Sequence, residues 1–354
     1  MTGDDAPEPD PSPAGAEPPG QSDAQLDALI LGLLIESEDE FLTGQVLCDK
    51  LGLPRAQLLQ RIDSLRMRGY AVQSLAGRGY RISGLPDGIL AEQVGPLLAT
   101  AELGRRLHVH QEIGSTSDEA HRLAEAGAEH GTVVLAESQT AGRGRRGRTW
   151  VTPPGKAIAL SVILRPELPP ARAPELALTA AVAVCEVAQG LGAPAAAIKW
   201  PNDVECRGRK LAGVLAEMRA QGDRVTHVVV GIGLNVNLEA SDLPAELRPL
   251  ATSLRIERGE PIARSLVCAR LLSRFEVLLS LHEAEGFAPV RARFRELSST
   301  LRRRVRAEMG KGFVEGEAMD LAEDGALLVR TDSGAVERVI AGDVEHLRVA
   351  PIST

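Results

Sequence analysis

The chain has 354 residues, 44% of them hydrophobic, and a formal net charge of -8, which is enough material for two or three domains. Its acidity excludes a protein that coats nucleic acid with its whole surface, so a DNA contact would need a local basic patch. No apolar run reaches the roughly 18 residues of a membrane span, the N-terminus is not basic and then apolar, and the four cysteines form no CxxC pair. We predict a cytoplasmic protein with reduced thiols and no metal-ligating residue set.

The first 22 residues are rich in Pro, Asp, Glu, Ala and Gly and contain no basic residue. This composition buries too little apolar surface to offset the entropy of ordering. We therefore predict a disordered acidic tail over residues 1–22.

Residues 23–85 have the pattern of a winged helix-turn-helix. Apolar residues at helical spacing start at Leu26, a second helix is expected over 43–51, and a third follows Pro54. Two short strands and a turn within 71–82 predict a β-hairpin, which would be the wing.

Positive charge is concentrated in the third helix and the hairpin. Residues 55–81 contain six arginines and one acidic residue, as expected of a surface that faces phosphate. We predict that groove contacts come from Arg55, Gln57, Gln60 and Arg61. The alternative is a protein-binding module whose arginines are only solvated.

Further along the chain we expect a linker over residues 86–104, a central α/β domain over 105–300 and a small C-terminal domain over 301–354. Helices are predicted at 118–126, 174–191 and about 261–281, and strands at 132–136, 157–164, 196–199 and 224–237. After residue 301, four short alternating segments separated by Gly or Asp turns predict an SH3-like β-barrel.

The most informative segment is the run from Gly142 to Arg148, in which four arginines stand between three glycines. Glycine lets backbone amides approach a ligand, and guanidinium groups bind carboxylate or phosphate in bidentate fashion. The run therefore indicates an anion-binding loop. Alone, it equally fits a solvated basic loop or a nucleic-acid-binding tail.

Three more segments of the central domain add polar and cationic residues to this loop: Ser115-Thr116, the run from Lys199 to Asp203, and the run from Gly231 to Asn235. Lys210 lies between the last two. Because the chain contains 35 arginines and only five lysines, a lysine inside a motif indicates a need for a compact charge. Together the segments indicate a pocket for a ligand with anionic groups.

These motifs closely resemble those of the biotin protein ligase family, in its bifunctional form with an N-terminal winged helix that represses the biotin operon. The resemblance covers residues 24 to about 350 and rests on ESQTA followed by GRGRRGR, on KWPND, on RKLAG at 209–213 and on GIGLN at 231–235. It implies an α+β multidomain fold with a winged helix, a central mixed sheet like that of class II aminoacyl-tRNA synthetases, and an SH3-like C-terminal domain.

The resemblance also implies an activity with two steps. Biotin and ATP, with Mg²⁺, would give biotinyl-5'-AMP and pyrophosphate, and a lysine of a biotin carboxyl carrier protein would then take the biotin. The implied partners are that carrier protein, operator DNA and a second copy of the chain, with the homodimer forming when biotinyl-5'-AMP is bound. Because Gly and Arg offer little apolar surface, we expect the adenylate to order the loop at 142–148.

The resemblance also implies site residues, at the positions where the motifs of this chain match those of the family. The implied catalytic residues are Arg143, Arg145 and Lys210. The implied biotin-binding residues are Ser115, Thr116, Ser117, Gln139, Gly142, Arg143, Arg145, Lys210, Gly213, Gly231 and Gly233. The implied ATP-binding residues are Arg145, Arg148, Trp150, Asn202, Lys210 and Asn235.

Some points stay open at this level. Ser117 stands where the family commonly has asparagine, and Trp150 could be a core anchor instead of a nucleotide contact. Lys199 could contact ligand or form a structural salt bridge, to Asp203 or to another carboxylate. Lys156 could approach phosphate. Two other functions remain: a metabolite-sensing repressor without catalysis, and a lipoate or octanoate ligase of the same fold.

Overall fold

The computed structural model describes residues 22–37, 40–309, 312–340 and 342–347. Within these residues the chain forms a helical domain with a hairpin, a central domain on a seven-stranded mixed sheet, and a C-terminal five-stranded antiparallel sheet. This order of domains confirms the predicted fold class. The predicted acidic tail lies outside the described residues, except for Ser22, which caps the first helix.

The N-terminal domain contains helices α1 (Asp23–Glu36), α2 (Gly44–Leu51) and α3 (Arg55–Met67), then strands β1 (Ala71–Leu75) and β2 (Gly79–Gly84). Side chains of Ser22 and Thr43 accept hydrogen bonds from the first turns of α1 and α2, and Gly52 ends α2 with a φ of 64°. Apolar residues of the three helices and the hairpin form a core of their own. The helix-turn-helix with its wing is as predicted.

The segment predicted as a linker packs against the central domain. It contains a short helix, α4 (Ala91–Val94), and its residues Ile89, Val94, Leu98 and Leu103 belong to the central hydrophobic core. Residues 86–104 are therefore a packed connector, because their regularly placed apolar side chains are covered by the domain that follows.

One buried arginine joins this connector to the central domain. Arg264, 3% exposed, donates through its backbone N–H and its Nε to Asp87 Oδ1, at 3.0 and 3.3 Å. Its Nη1 lies 2.8 Å from Glu137 Oε1, and Glu137 in turn accepts from the backbone N–H of Gly155. Arg264 also donates to the carbonyl of Ala157 at 3.3 Å. It thus bonds both to the connector and to the two flanks of residues 142–148, called the arginine-glycine loop from here on.

The central domain comprises the following elements: β3 (Leu107–Ile113), α5 (Thr116–Glu125), β4 (Val133–Gln139), β5 (Ala157–Leu164), α6 (Pro174–Gly190), β6 (Ala196–Lys199), β7 (Asp203–Cys206), β8 (Arg209–Gln221), β9 (Arg224–Asn235), α7 (Leu254–Arg258), α8 (Arg264–Glu285) and α9 (Ala288–Leu297). The sheet order is β3-β4-β5-β9-β8-β7-β6, with β3 and β4 parallel and the other neighbours antiparallel. Helix α6 packs on one face through its many small alanines and is itself covered by α8 and α9. The ends of β4, β8 and β9 place the ligand motifs on the other side of this layer.

The C-terminal domain has strands β10 (Arg304–Met309), β11 (Gly312–Leu321), β12 (Leu327–Arg330), β13 (Val336–Val339) and β14 (Asp343–His346), in the order β13-β12-β11-β10-β14. Its core is continuous with that of the central domain. Trp200, 2% exposed, donates from its indole N–H to the carbonyl of Gly325 at 3.0 Å. This tryptophan therefore joins two domains and has a structural role.

Several element boundaries differ from the predictions. Helix α5 begins at Thr116, two residues before the predicted start, because Ser115 already has the extended conformation of a cap residue. The long strand β8 was not predicted, since its second half is half-buried to exposed and mixes apolar and charged residues without a clear alternation. The predictions also missed strands β3, β7 and β14 and helices α4, α7 and α9.

Candidate functional site

The ligand motifs converge on one cavity of about 560 Å³. Fourteen of the predicted ligand residues line it: Ser115, Thr116, Ser117, Gln139, Arg143, Arg145, Arg148, Trp150, Asn202, Lys210, Gly213, Gly231, Gly233 and Asn235. Gly142 is the exception. It lies at the neck of the loop, where its carbonyl accepts from Trp150 N–H at 2.9 Å and a Cβ would overlap the Trp150 backbone. Gly142 thus shapes the loop and does not line the cavity.

One end of the cavity is a chain of hydroxyl and amide groups. Gln139 Oε1 accepts from the backbone N–H of Thr116 at 2.9 Å and from its hydroxyl at 3.2 Å. Ser161, fully buried on β5, lies 2.9 Å from the Thr116 hydroxyl and 3.1 Å from that of Ser117. A serine at 117 therefore still takes part in the hydrogen-bond network. A fixed set of hydrogen-bonding groups at one end of a mainly apolar cavity is suited to binding a small polar group of a ligand.

The arginine-glycine loop forms a narrow turn over the cavity. Gly144 N–H donates to Arg148 O at 2.6 Å, and Arg146 and Gly147 adopt left-handed conformations with φ of 54° and 72°. The positive φ at two successive positions lets the chain reverse within the loop. The predicted ordering of this loop by the adenylate stays a prediction.

Three of the four loop arginines reach different parts of the molecule. Arg143 contacts the carboxylates of Asp118 at 2.6 Å and Glu217 at 3.5 Å. The hydrogen bond to Asp118 raises the pKa of the Arg143 guanidinium above its ordinary value, against the effect of burial. Arg145 donates to Asn202 Oδ1 at 3.0 Å, and Arg146 pairs with Glu308 of the C-terminal sheet at 3.0 Å. The loop therefore joins the cavity, the sheet and the C-terminal domain.

Lys210 provides a cation on the opposite wall. Its Nζ lies 2.7 Å from Asp203 Oδ1 and 5.7 Å from the centre of the Trp150 ring. The alternative in which Asp203 pairs with Lys199 is therefore wrong: the two face each other only as backbone partners of β6 and β7. Between Lys210 and the loop arginines the cavity can hold two anionic groups close together.

The indole of Trp150 covers Gly233. A Cβ on Gly233 would overlap the Trp150 ring, so only glycine allows this contact. Trp150 thus forms a wall of the cavity and is no remote core anchor, and its large flat face is suited to a planar ring. Nearby, Asn235 is held by a 2.9 Å hydrogen bond from its Nδ2 to Thr252 O.

The predicted DNA-contacting residues divide into two groups. Arg55 and Gln60 are exposed and Gln57 is half-buried. Arg61 is 8% exposed and lies 2.8 Å from Asp23 and 3.9 Å from Asp27 of α1. This pairing favours a structural role for Arg61 over the predicted groove contact.

The comparisons with known proteins agree with this geometry. Residues 110–235 match the "Biotin/lipoate A/B protein ligase family" model, residues 300–347 the "Biotin protein ligase C terminal domain" and residues 28–81 an "HTH domain". The chain is 36% identical over 316 residues to the bifunctional ligase/repressor BirA of Bacillus subtilis, covering 89% of this chain and 97% of that protein. The chain belongs to the biotin protein ligase family.

Two further relatives support this membership of the biotin protein ligase family. The bifunctional ligase/repressor BirA of Escherichia coli is 32% identical, covering 86% of this chain and 92% of that protein. A structure of the biotin protein ligase from Aquifex aeolicus in complex with biotin and ATP superposes with a TM-score of 0.59 at 29% identity, covering 69% of this chain and 100% of that one. The resemblance predicted from the motifs is confirmed.

Some lining residues of this family member were missed by the motifs. Leu243, Leu247 and Leu250 form an apolar rim, and Asp242 beside them pairs with Lys156 at 3.1 Å. Lys156, whose role the sequence left open, is thus held at the edge of the rim. The sequence indicates this rim only through the four leucines that lie within the short segment 238–250.

No group of three His, Cys, Asp or Glu residues within the described ranges is placed to hold a metal ion. In the same part of the chain, no helix is long and apolar enough to cross a membrane. Two carboxylates, Asp203 and Asp242, do line the cavity. One or two carboxylates that act together with substrate phosphates are the usual ligands of Mg²⁺.

Proposed function

We propose that this chain is a biotin protein ligase that joins biotin to ATP and then transfers biotin to a lysine of a biotin carboxyl carrier protein. The observation that carries the proposal is the cavity itself, in which a hydroxyl-amide end, two loop arginines, Lys210 and the Trp150 ring meet. The names of the similar ligases, one of them described with biotin and ATP, support the same assignment.

In the first step an oxygen of the biotin carboxylate attacks the α-phosphorus of ATP, the bond to the β-phosphate breaks, and pyrophosphate leaves. Both reactants are anions, so their approach is unfavourable unless cations offset the charge. Arg143, Arg145 and Lys210 would hold carboxylate and phosphate in line and stabilise the charge that develops. The carboxylate of biotin is already ionised at pH 7, so this step needs no general base.

In the second step the neutral amine of the carrier lysine attacks the acyl carbon of biotinyl-5'-AMP, loses a proton, and AMP leaves. The adenylate has to stay bound until the carrier arrives. The arginine-glycine loop would retain it, since it lies over the cavity and is bonded at Asn202 and Glu308. No covalent intermediate with the enzyme is required.

Biotin would occupy the end formed by Ser115, Thr116, Ser117 and Gln139, whose polar groups can hydrogen-bond its ureido ring. The nucleotide would occupy the end near Arg148, Trp150, Asn202 and Asn235. Mg²⁺ would be held by the phosphates of ATP together with Asp203 or Asp242, and it would offset phosphate charge.

The winged helix would make the protein a biotin-responsive repressor that binds operator DNA through Arg55, Gln57 and Gln60, as a homodimer when biotinyl-5'-AMP is bound. Wing residues Arg78 and Arg81, which lie 5.1 and 4.8 Å from the centre of the Phe41 ring, add positive charge to the winged helix. We propose that the protein acts in the cytoplasm.

Pyrophosphate release from ATP on addition of biotin tests the enzyme. A metabolite-sensing repressor without catalysis would release none, and a lipoate or octanoate ligase would respond to those acids and not to biotin. Gel-shift binding to the chain's own upstream DNA, with and without biotin and ATP, tests the repressor. Affinity that does not change with the two ligands would refute biotin-responsive binding.

A further inference from the structure

Glu257 is a buried carboxylate behind the cavity and is not one of its lining residues. Its side chain is 1% exposed, although it lies on the short helix α7 near the protein surface. Charged groups of this kind are rarely fully buried unless they are paired and hydrogen-bonded. The partners of Glu257 therefore indicate what it does.

The first partners lie on the turn between β7 and β8. Glu257 Oε1 accepts from Arg209 Nη2 at 2.7 Å, and Oε2 accepts from Arg207. Arg207 has a φ of 51°, a left-handed conformation that few residues other than glycine adopt without cost. Glu257 thus fixes a strained turn that lies immediately before Lys210.

Another partner lies on the segment that follows the apolar rim. The Thr252 hydroxyl donates to Glu257 Oε1 at 2.6 Å. The backbone N–H of Thr252 donates to Lys210 O at 2.9 Å, and its carbonyl accepts from Asn235. Since Lys210 N–H also donates to Leu250 O at 2.7 Å, the segment 250–252 brackets the Lys210 backbone.

The surroundings of Glu257 favour its ionised form. Burial favours the neutral acid, but hydrogen bonds from Thr252 and Cys206 and the charges of Arg209 and Arg207 outweigh it and hold the pKa of Glu257 below its ordinary value. The group is thus an anion between two guanidinium groups. A neutral amide of the same shape would keep some hydrogen bonds and lose the charge.

We infer that Glu257 is a positioning residue for adenylate formation: it fixes the turn before Lys210 and the segment after the rim, so that Lys210 and Asn235 keep their places in the cavity. This inference rests on the proposed function. It assigns to Glu257 no contact with substrate. Small displacements of charge-stabilising groups reduce rates strongly, and this is the effect expected here.

The test compares Glu257→Gln with Glu260→Gln in the full chain. Glu260 is an exposed carboxylate that pairs with Arg258, and its replacement is the matched control. We expect Glu257→Gln to lower kcat of biotin-dependent pyrophosphate release by about ten- to hundredfold. The affinity for biotin alone should fall by a much smaller factor, because the hydroxyl-amide end is untouched and only the contact of Lys210 with the carboxylate is weakened. Hydrogen exchange in a peptide covering 243–251 should become faster.

Thr252→Val gives a second variant in case Glu257→Gln folds poorly, because it removes only the hydroxyl that binds Glu257. Thr252→Val should also lower kcat, by a smaller factor than Glu257→Gln. Normal kcat in either well-folded variant, or a loss of biotin affinity that parallels the loss of kcat, would overturn the inference. Absence of pyrophosphate release from wild type would instead overturn the proposed function.

Discussion

The Nζ atom of Lys210 donates a 2.7 Å hydrogen bond to Oδ1 of Asp203, so the candidate catalytic cation is paired before any ligand binds. Lys210 is part-exposed, and its partner is exposed to a similar extent. An ion pair of this kind contributes little to stability, because water screens both groups. The ion pair instead positions Lys210, since it holds the ammonium group at the cavity that the loop arginines also line.

Lys210→Ala should therefore lower biotin-dependent pyrophosphate release by about 10²- to 10³-fold, the usual cost of removing a group that stabilises developing charge. The melting temperature should change little. Lys50→Ala, on helix α2 far from the cavity, is the control and should behave as wild type. Near-normal turnover of Lys210→Ala would remove Lys210 from the mechanism.

Arg145→Gly should loosen the adenylate. The change removes a guanidinium group that bonds to Asn202 across the cavity mouth, so biotinyl-5'-AMP should escape into solution and biotinylate bystander proteins. Free adenylate and label on an unrelated protein can both be measured. Arg224→Gly, at the distant turn between β8 and β9, is the control. Adenylate retention equal to wild type would contradict this role.

Gly233→Ala should displace the Trp150 ring, because the added methyl occupies the same space. We expect the KM for ATP to rise by about tenfold or more, comparable to the loss of one well-packed ring contact. Gly190→Ala meets no atom within 4 Å and serves as control. Unchanged intrinsic tryptophan fluorescence together with an unchanged KM would show that the ring does not stack on nucleotide.

Ser161→Ala removes the hydroxyl shared by Thr116 and Ser117. Since these buried hydroxyls would lose a partner, biotin should bind more weakly by about 1–2 kcal/mol, with a smaller change in the KM for ATP. Titration calorimetry with biotin measures the first quantity. Ser83→Ala in the wing is the matched control, and wild-type biotin affinity in Ser161→Ala would exclude the network from biotin recognition.

Arg61→Ala and Arg55→Ala should separate stability from DNA binding. Arg61→Ala removes a buried guanidinium group that pairs with Asp23, while the buried Asp27 keeps its closer partner Arg68, so the free energy of unfolding should fall by about 1 kcal/mol. Arg55→Ala should leave stability unchanged and reduce the slope of log affinity against log salt by about 1. Urea unfolding measures the first quantity and gel-shift titration the second. A loss of stability in Arg55→Ala, or an unchanged salt slope in that variant, would contradict these roles.

Much of the fold and most of the cavity were predictable because the relevant signals are local. The apolar spacing from Leu26 onward indicates helices directly, and the motifs around Gln139, Asn202 and Lys210 contain several ligand residues each. Such residues come together once the strands that hold them pair. Fourteen predicted lining residues share one cavity for this reason.

The features that the sequence did not predict depend on contacts between distant segments of the chain. Ser161 lies in a continuous apolar strand and has no local mark of a polar role. Glu257 acquires its partners from a turn about 50 residues earlier in the chain, and Arg61 is buried only because α1 packs across α3. Burial and pairing of this kind are set by tertiary packing, which amphipathic spacing alone does not specify.

The position of Asp87 sets a boundary for domain exchange in this protein. Because Arg264 is buried and bonded to that carboxylate, a shortened ligase that starts after Asp87 would lose an ion-pair partner next to the strand leading into the cavity. A cut before Pro86, whose carbonyl accepts from Ser265, keeps these contacts. The enzyme part of the chain therefore begins physically at residue 86, and a cut that keeps it intact lies at or before residue 85.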